Sequence, residues 1–433
     1  MKIFSLLENK WKNAINPFLI HNGKKIYFDD IKKKKIDYLG LINSGDIVAI
    51  IGDYNDLSIS LLFHLIERKA IVVPLTKKSN SDYEFYIKAS RANIIIENNK
   101  VKILGNKSKP HPLIIELRKR KHPGLIFFST GTTGDPKAIL HDVTLLFERF
   151  MTPRKAYKTI NFLLFDHMGG VNTLLHTLFN GGTVITPHDR TVNSILDLCE
   201  KNNVELLPAT PTFLRMLLLS GSVPKKIPKS LKVISYGTEL MDQSTLNQLC
   251  DLLPEVDFKQ TYGLSEFCVL RIKNRSRKDL FIKISGEGVD IKIENKKLFI
   301  RSRLCMLGYL NAASPFDRDG WYDTKDIVEE DENGFLKIIG RDSDIVNVGG
   351  LKFMKSEVEN VILTYEGVAQ IKIITKNNSI TGQHIEAIIE PKLNTDIDLN
   401  DLKKFLKTNL SSHMRPLKIK FQTIEISSRF KKK

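Results

Sequence analysis

Cysteine is scarce in this chain of 433 residues: Cys199, Cys250, Cys268 and Cys305 lie far apart and form no Cys-x-x-Cys pair. That spacing excludes a zinc ribbon or a disulfide framework and suits a reducing compartment. Long apolar runs are also missing, so no segment reaches membrane-spanning length. The opening MKIFSLLENKWKNAI holds too short an apolar stretch for a secretory signal, and a cytoplasmic location is expected. Acidic residues are in deficit, 49 against 66 Lys and Arg, for a formal charge of +17. Much of the excess sits in the short runs 32–35, 118–121 and 431–433. Such runs are usually solvated faces or tails, although they also favour anionic ligands such as nucleotides or an acidic acyl carrier protein. No basic motif interleaved with aromatics is present, so nucleic acid is not an expected partner.

The length allows two or three domains and a large core, and 42% apolar with 27% charged residues is ordinary for a globular protein. Asp46–Ile51, Leu57–Glu67 and Ala70–Leu75 read as strand, helix and strand. The unit returns as Val204–Leu207 with Pro211–Leu219, and as Leu231–Ser235 with Asp242–Leu252, before a strand Val256–Lys259. Alternation of this kind predicts an α/β fold with largely parallel, helix-covered sheets. A β-rich subdomain is expected over Val289–Ile339, including the hairpin VDIKIENKKLFIRS. Beyond Arg341 the pattern changes to helix Lys355–Leu363, paired strands Val368–Thr375 and His384–Glu390, helix Leu399–Leu410 and strand Ile419–Ile424. The expected organisation is a large N-terminal domain over 1–341 and a small α+β domain over 342–433.

The densest cluster of chemistry is FFSTGTTGDPKA, residues 127–138. A Walker loop needs Gly before its Lys and Ser or Thr after it. Here Pro136 and Ala138 flank Lys137, which excludes that class. Gly131 and Gly134 still permit several N–H groups to face one anion. Ser129, Thr130, Thr132 and Thr133 add hydroxyls, and Lys137 a flexible charge. A polar hairpin turn between Leu125–Phe128 and Ala138–Leu140 is equally compatible with this composition.

Three segments downstream bear on the choice: QTYGLSE over 260–266, GWYDTKD over 320–326 and GRDSDIVNVGG over 340–350. Together and in this order, the four segments resemble the adenylate-forming superfamily of acyl-CoA synthetases, luciferases and adenylation domains, over nearly the whole chain. The resemblance implies an ATP-dependent ligase that turns a carboxylic acid into an acyl-adenylate with release of pyrophosphate. It then implies transfer to a pantetheine thiol, either coenzyme A or the phosphopantetheine of a carrier protein. It assigns nucleotide contacts to Ser129, Thr130, Gly131, Thr132, Thr133, Gly134 and Lys137, and to Tyr236, Gly237, Thr238, Thr261, Tyr262, Gly263 and Ser265. Glu266 is similar to the family's Mg²⁺ ligand, Asp326 to the ribose-binding acid, and Arg341 to a ribose or phosphate contact.

The resemblance places the catalytic Lys at Lys431, by aligning Ser427 with the Thr of a Thr-x-x-Gly-Lys motif; Phe430 then replaces Gly. Lys432 is the alternative by a shift of one residue. Lys325 replaces the Gly of Thr-Gly-Asp, and Ser343 stands at the hinge. Phe165-Asp166-His167-Met168-Gly169-Gly170 lies where relatives place the acid pocket. His167 resembles the residue that screens the carboxylate, while Asp166 facing the pocket would favour an amino or hydroxy acid. Gly349-Gly350 could pass a pantetheine arm or form a plain turn. A silent nucleotide-binding homologue remains the reading from another class.

Overall fold

A computed structural model describes residues 2–77, 83–104, 109–129, 135–286, 288–427 and 430–432. Ile47–Ile51 is apolar throughout and buried at every position, as a central parallel strand requires. It pairs in parallel with Ile71–Leu75 on one side and Ile94–Glu97 on the other. Seven strands complete this sheet, which runs from Gly308–Tyr309 through Ala138–Asp142 and Gly124–Phe128 to Lys100–Ile103. The helix Asp56–Glu67 starts where the side chain of Asn55 accepts from the Ser58 N–H at 2.8 Å, satisfying one of the free N–H groups of the first turn.

A second seven-stranded sheet has Asp257–Gln260 at one edge, then Val233–Tyr236, Leu206–Ala209 and Thr159–Ile160. Its strands are parallel except for the edge pair Leu19–His21 and Lys24–Ile26. The largest apolar cluster joins residues of both sheets and of the helices Ile3–Trp11, Asp56–Glu67 and Met168–Phe179. A six-stranded antiparallel sheet follows, containing the expected hairpin as Val289–Glu294 against Lys297–Ser302. The architecture is the expected α/β fold with a β-rich subdomain.

Strand Leu336–Arg341 ends in a short 3₁₀ turn, Asp342–Asp344, after which a five-stranded sheet begins at Ile345. This smaller unit has its own core, built around Val346, Val358, Ile371, Ile385 and Leu402. Val368–Asn378 and Gly382–Pro391 are its long antiparallel pair, and Lys418–Phe421 joins in parallel. The last strand is therefore shorter than the apolar pattern to Ile424 suggests, and helix Leu399–Asn409 stops just before Leu410. Gly349 and Gly350 have φ of 60° and 88° and close the hairpin between Ile345–Val348 and Leu351–Met354. Two consecutive positive φ values are what a tight two-residue hairpin demands, and glycine meets them without strain.

Candidate active site

The loop at 129–137 is joined to the sheet by an antiparallel strand pair, Gly124–Phe128 with Ala138–Asp142. Its ends are tied together: the Ser129 N–H donates to the Lys137 carbonyl at 3.0 Å, and the Lys137 N–H to the Ser129 hydroxyl at 3.0 Å. Asn311 braces the same base, accepting from the Ala138 N–H at 2.7 Å and donating to the Pro136 carbonyl at 3.0 Å. Thr130, Gly131, Thr132, Thr133 and Gly134 lie outside the described residues. The exposed Lys137 ammonium stands 5.0 Å from the centroid of the Tyr309 ring.

Tyr309 leads directly to Glu266. Its hydroxyl donates to Glu266 Oε1 at 2.7 Å, and both side chains are buried. Burial and the nearby carboxylate push the Tyr309 phenol far above its ordinary value, so it remains a donor. The Glu266 backbone is fixed as well, because its carbonyl accepts from the Met306 N–H at 2.7 Å. One residue earlier, the Ser265 carbonyl accepts from Nε2–H of the buried His141 at 2.7 Å. Among the described residues no group of three or more His, Cys, Asp and Glu could hold a metal. The donor set here is thus a single buried carboxylate, which fits Mg²⁺, an ion that takes one or two protein carboxylates and completes its shell with water and substrate phosphates.

The second group forms where the parallel strands Val233–Tyr236 and Asp257–Gln260 end side by side. The Tyr236 carbonyl accepts from the Thr261 N–H at 2.7 Å and from its hydroxyl at 3.1 Å. A Cβ on Gly237 would collide with the Thr261 hydroxyl and carbonyl, and one on Gly263 with the Cys268 carbonyl, so both glycines are demanded by close backbone approach. Tyr262 does not stand free at a rim: its ring is buried in the apolar cluster of the β-rich subdomain. Its hydroxyl donates to Asp326 Oδ2 at 2.6 Å, and Arg341 Nε lies 2.8 Å from Asp326 Oδ1. Burial raises the Asp326 carboxyl above the usual range, while Arg341 pulls it back. Lys325 keeps a φ of 62° although it is not glycine, and its ammonium pairs with Asp323 at 2.6 Å.

The third group meets at a small cavity lined by Phe162, Leu163, Leu164, His167, Thr210, Thr238, Phe430 and Lys431. His167 caps helix Met168–Phe179, its Nδ1 accepting from the Gly169 N–H at 3.2 Å. That acceptor role puts the ring proton on Nε2. Lys431 Nζ donates to the Thr238 carbonyl at 3.2 Å. Lys432 points elsewhere, donating to the Ile371 carbonyl of the small domain at 2.7 Å. Asp166 is not among the cavity residues; its Oδ2 accepts from the Thr76 hydroxyl at 2.7 Å.

The structure therefore brings Lys431, His167 and Thr238 together, Glu266 with Lys137 through Tyr309, and Tyr262 with Asp326 and Arg341. Sequence reasoning missed Tyr309, Asn311, Thr210 and the contacts of Phe430. The run Gly308-Tyr309-Leu310-Asn311 carried a usable signal only through its place between the hairpin and GWYDTKD. The bond from Tyr309 to Glu266 spans 43 positions and has no local signature.

Residues 54–310 match the family model described as AMP-binding enzyme, and 357–428 match the AMP-binding enzyme C-terminal domain. Among curated proteins the chain is similar to a 2-succinylbenzoate–CoA ligase of Listeria monocytogenes, 24% identical over 93% of this chain and 91% of that one. Among solved structures it resembles the o-succinylbenzoate CoA synthetase of Bacillus subtilis in complex with its acyl-adenylate intermediate. The TM-score is 0.80 at 18% identity, covering 99% of this chain and 96% of that one. An anthranilate CoA ligase in complex with anthranoyl-AMP gives a TM-score of 0.82 at 15% identity, covering 100% and 95%. No helix among the described residues is long and apolar enough to cross a membrane. With its main family model spanning more than half of the sequence, this chain belongs to the AMP-binding enzymes, the adenylate-forming ligases of the acyl-CoA synthetase type.

Proposed function

We propose that the chain activates an aromatic carboxylic acid with ATP and passes the acyl group to coenzyme A, with Lys431 and Glu266 as its working residues. The observation that carries the adenylation reading is the convergence of Lys431, His167 and Thr238 on one small cavity, and the class of acid follows the names of similar ligases. In the first half-reaction a carboxylate oxygen of the acid attacks the α-phosphorus of ATP in line. The bond from that phosphorus to the bridging oxygen breaks, and pyrophosphate leaves. The Lys431 ammonium sits against the carboxylate and α-phosphate as charge spreads over their oxygens. Lys137 and the loop from Ser129 to Gly134 hold the outer phosphates, and Asp326 accepts the ribose hydroxyls beside Arg341. Glu266 holds Mg²⁺, whose charge offsets that of the phosphates when it is bound.

In the second half-reaction the thiol of coenzyme A gives its proton to solvent and its sulfur attacks the acyl carbon. The bond from that carbon to the phosphate oxygen breaks, and AMP leaves. Residues 342–433 act as the mobile unit that brings Lys431 to the site, and the four free cysteines suit a cytoplasmic setting. An acid without an ammonium group is supported by the engagement of Asp166 with Thr76, outside the cavity. Names given to relatives, 2-succinylbenzoate and anthranilate ligases, support the aromatic class and coenzyme A as acceptor.

ATP–pyrophosphate exchange with 2-succinylbenzoate, anthranilate, octanoate and leucine tests the substrate class. Exchange is expected with the aromatic acids and not with leucine; fastest exchange with leucine would overturn it. Adding coenzyme A or a phosphopantetheinylated carrier protein to the same reactions then identifies the acceptor.

A further inference from the structure

Phe430 stands at the position where the family motif has glycine, and it keeps a left-handed backbone with φ of 51°. A bulky side chain rarely adopts that conformation unless something holds it there. The ring is buried in the large domain, not in the small domain to which the neighbouring strands belong. It meets Phe162 edge-on with centroids 5.5 Å apart and Phe213 edge-on at 5.1 Å. Edge-to-face pairs at these distances are favourable beyond their buried area. The backbone is held too: Thr210 caps helix Pro211–Leu219 by accepting from the Phe213 N–H at 3.1 Å, and its hydroxyl donates to the Phe430 carbonyl at 2.9 Å.

Two residues later the chain belongs to the other body, since Lys432 donates to the Ile371 carbonyl. Lys431 lies between these attachments, with its ammonium at Thr238. Within the tail, the Phe430 N–H donates to the Ser427 carbonyl at 2.9 Å, and the Ser427 N–H donates to the Lys431 carbonyl at 2.8 Å. These bonds hold Ser427, Phe430 and Lys431 together, and both Phe430 and Lys431 line the cavity.

We propose that Phe430 is a positioning residue whose ring anchors the tail in the large domain and thereby seats Lys431 for adenylate formation. The proposal rests on the assignment of Lys431 to the first half-reaction. Lys431 is assigned to the first half-reaction and residues 342–433 to a unit that moves, so loss of the anchor is expected to fall on the first step rather than the second.

The test uses the full chain and separates the two steps. ATP–pyrophosphate exchange is measured with 2-succinylbenzoate, and thioester formation is measured from added 2-succinylbenzoyl-adenylate and coenzyme A. Phe430→Ala is expected to lower the kcat for exchange by roughly 10- to 100-fold, the penalty for losing a buried ring on a docking equilibrium, with the ATP KM little changed. Transfer from the preformed adenylate is expected to stay within about threefold of wild type. Phe430→Leu should recover most of the exchange, whereas Phe430→Gly, which frees the backbone but removes the ring, should not. Equal losses in both steps, or full activity of Phe430→Gly, would overturn the anchor.

Hydrogen exchange of the protein without acid gives an independent reading. Phe430→Ala should speed exchange both in the tail and in helix Pro211–Leu219, while Lys431→Ala should leave both protected. Unchanged protection in Phe430→Ala refutes the anchor whatever the substrate. Full pyrophosphate exchange in Lys431→Ala instead refutes the role of Lys431 and leaves the anchor standing.

Discussion

His141 lies in strand Ala138–Asp142, almost wholly buried, and donates from Nε2 to the carbonyl of Ser265, the residue before Glu266. Burial pulls its pKa from 6.5 to about 4, with the Ser265 bond working the other way and Arg149 adding a small push downward. The folded protein thus refuses a proton that the unfolded chain takes up below 6.5. A folded-state pKa lowered in this way contributes stability that is present above 6.5 and drains away as pH falls toward about 4. The gap corresponds to a loss of about 3 kcal/mol across that window, a large share of a typical folding free energy. His176, lowered to about 4 by burial and Arg154, drains stability over the same range. His141→Gln keeps an N–H for the Ser265 carbonyl and removes one titrating group, so it isolates the His141 share. Urea unfolding is followed by the fluorescence of Trp11 and Trp321, the two tryptophans of the chain. Wild type should lose stability steeply between about pH 6.5 and pH 4, and the variant should lose about 3 kcal/mol less over that interval. Identical pH slopes for the two proteins would refute the reasoning.

Tyr309→Phe removes the hydroxyl that donates to Glu266 and keeps the ring beneath Lys137. A bond to a charged group contributes about 1.5–3 kcal/mol, so adenylation kcat/KM should fall by roughly 10- to 100-fold with a higher Mg²⁺ requirement, as a magnesium titration of exchange would report. Lys325→Gly relieves a left-handed backbone at the cost of an exposed ion pair to Asp323 that contributes little. Its urea midpoint should rise by the equivalent of up to about 1 kcal/mol, and a lower midpoint would show that Lys325 is held by more than that pair.

Much of the α/β scaffold was legible because its signals are local. Ile47–Ile51 is a continuous apolar strand, and the caps of helices Asp56–Glu67 and Pro211–Leu219 are written in adjacent residues. Helix Met168–Phe179 was not foreseen, since it opens on Met168-Gly169-Gly170 and is capped by a histidine, which propensity disfavours. The short motifs pointed to the segments that carry Glu266, Asp326 and Arg341, and the structure sets Asp326 beside Arg341 and Glu266 beside Tyr309. What a motif cannot express is which distant residue completes it. Tyr309 reaches Glu266 from another strand, Tyr262 spends its hydroxyl on Asp326, and Asp166 turns to Thr76. Phe430 reads as a departure from the family pattern in sequence, and only the fold shows its ring packed edge-on against Phe162 and Phe213.

The most direct measurement is acid-dependent exchange of labelled pyrophosphate into ATP by wild type and Lys431→Ala, with ATP binding followed alongside. Wild type should exchange only when an aromatic acid is present, and Lys431→Ala should bind ATP with similar affinity yet exchange at least about 100-fold more slowly. Wild-type binding of ATP without exchange for any acid, or undiminished exchange in Lys431→Ala, would contradict the assignment.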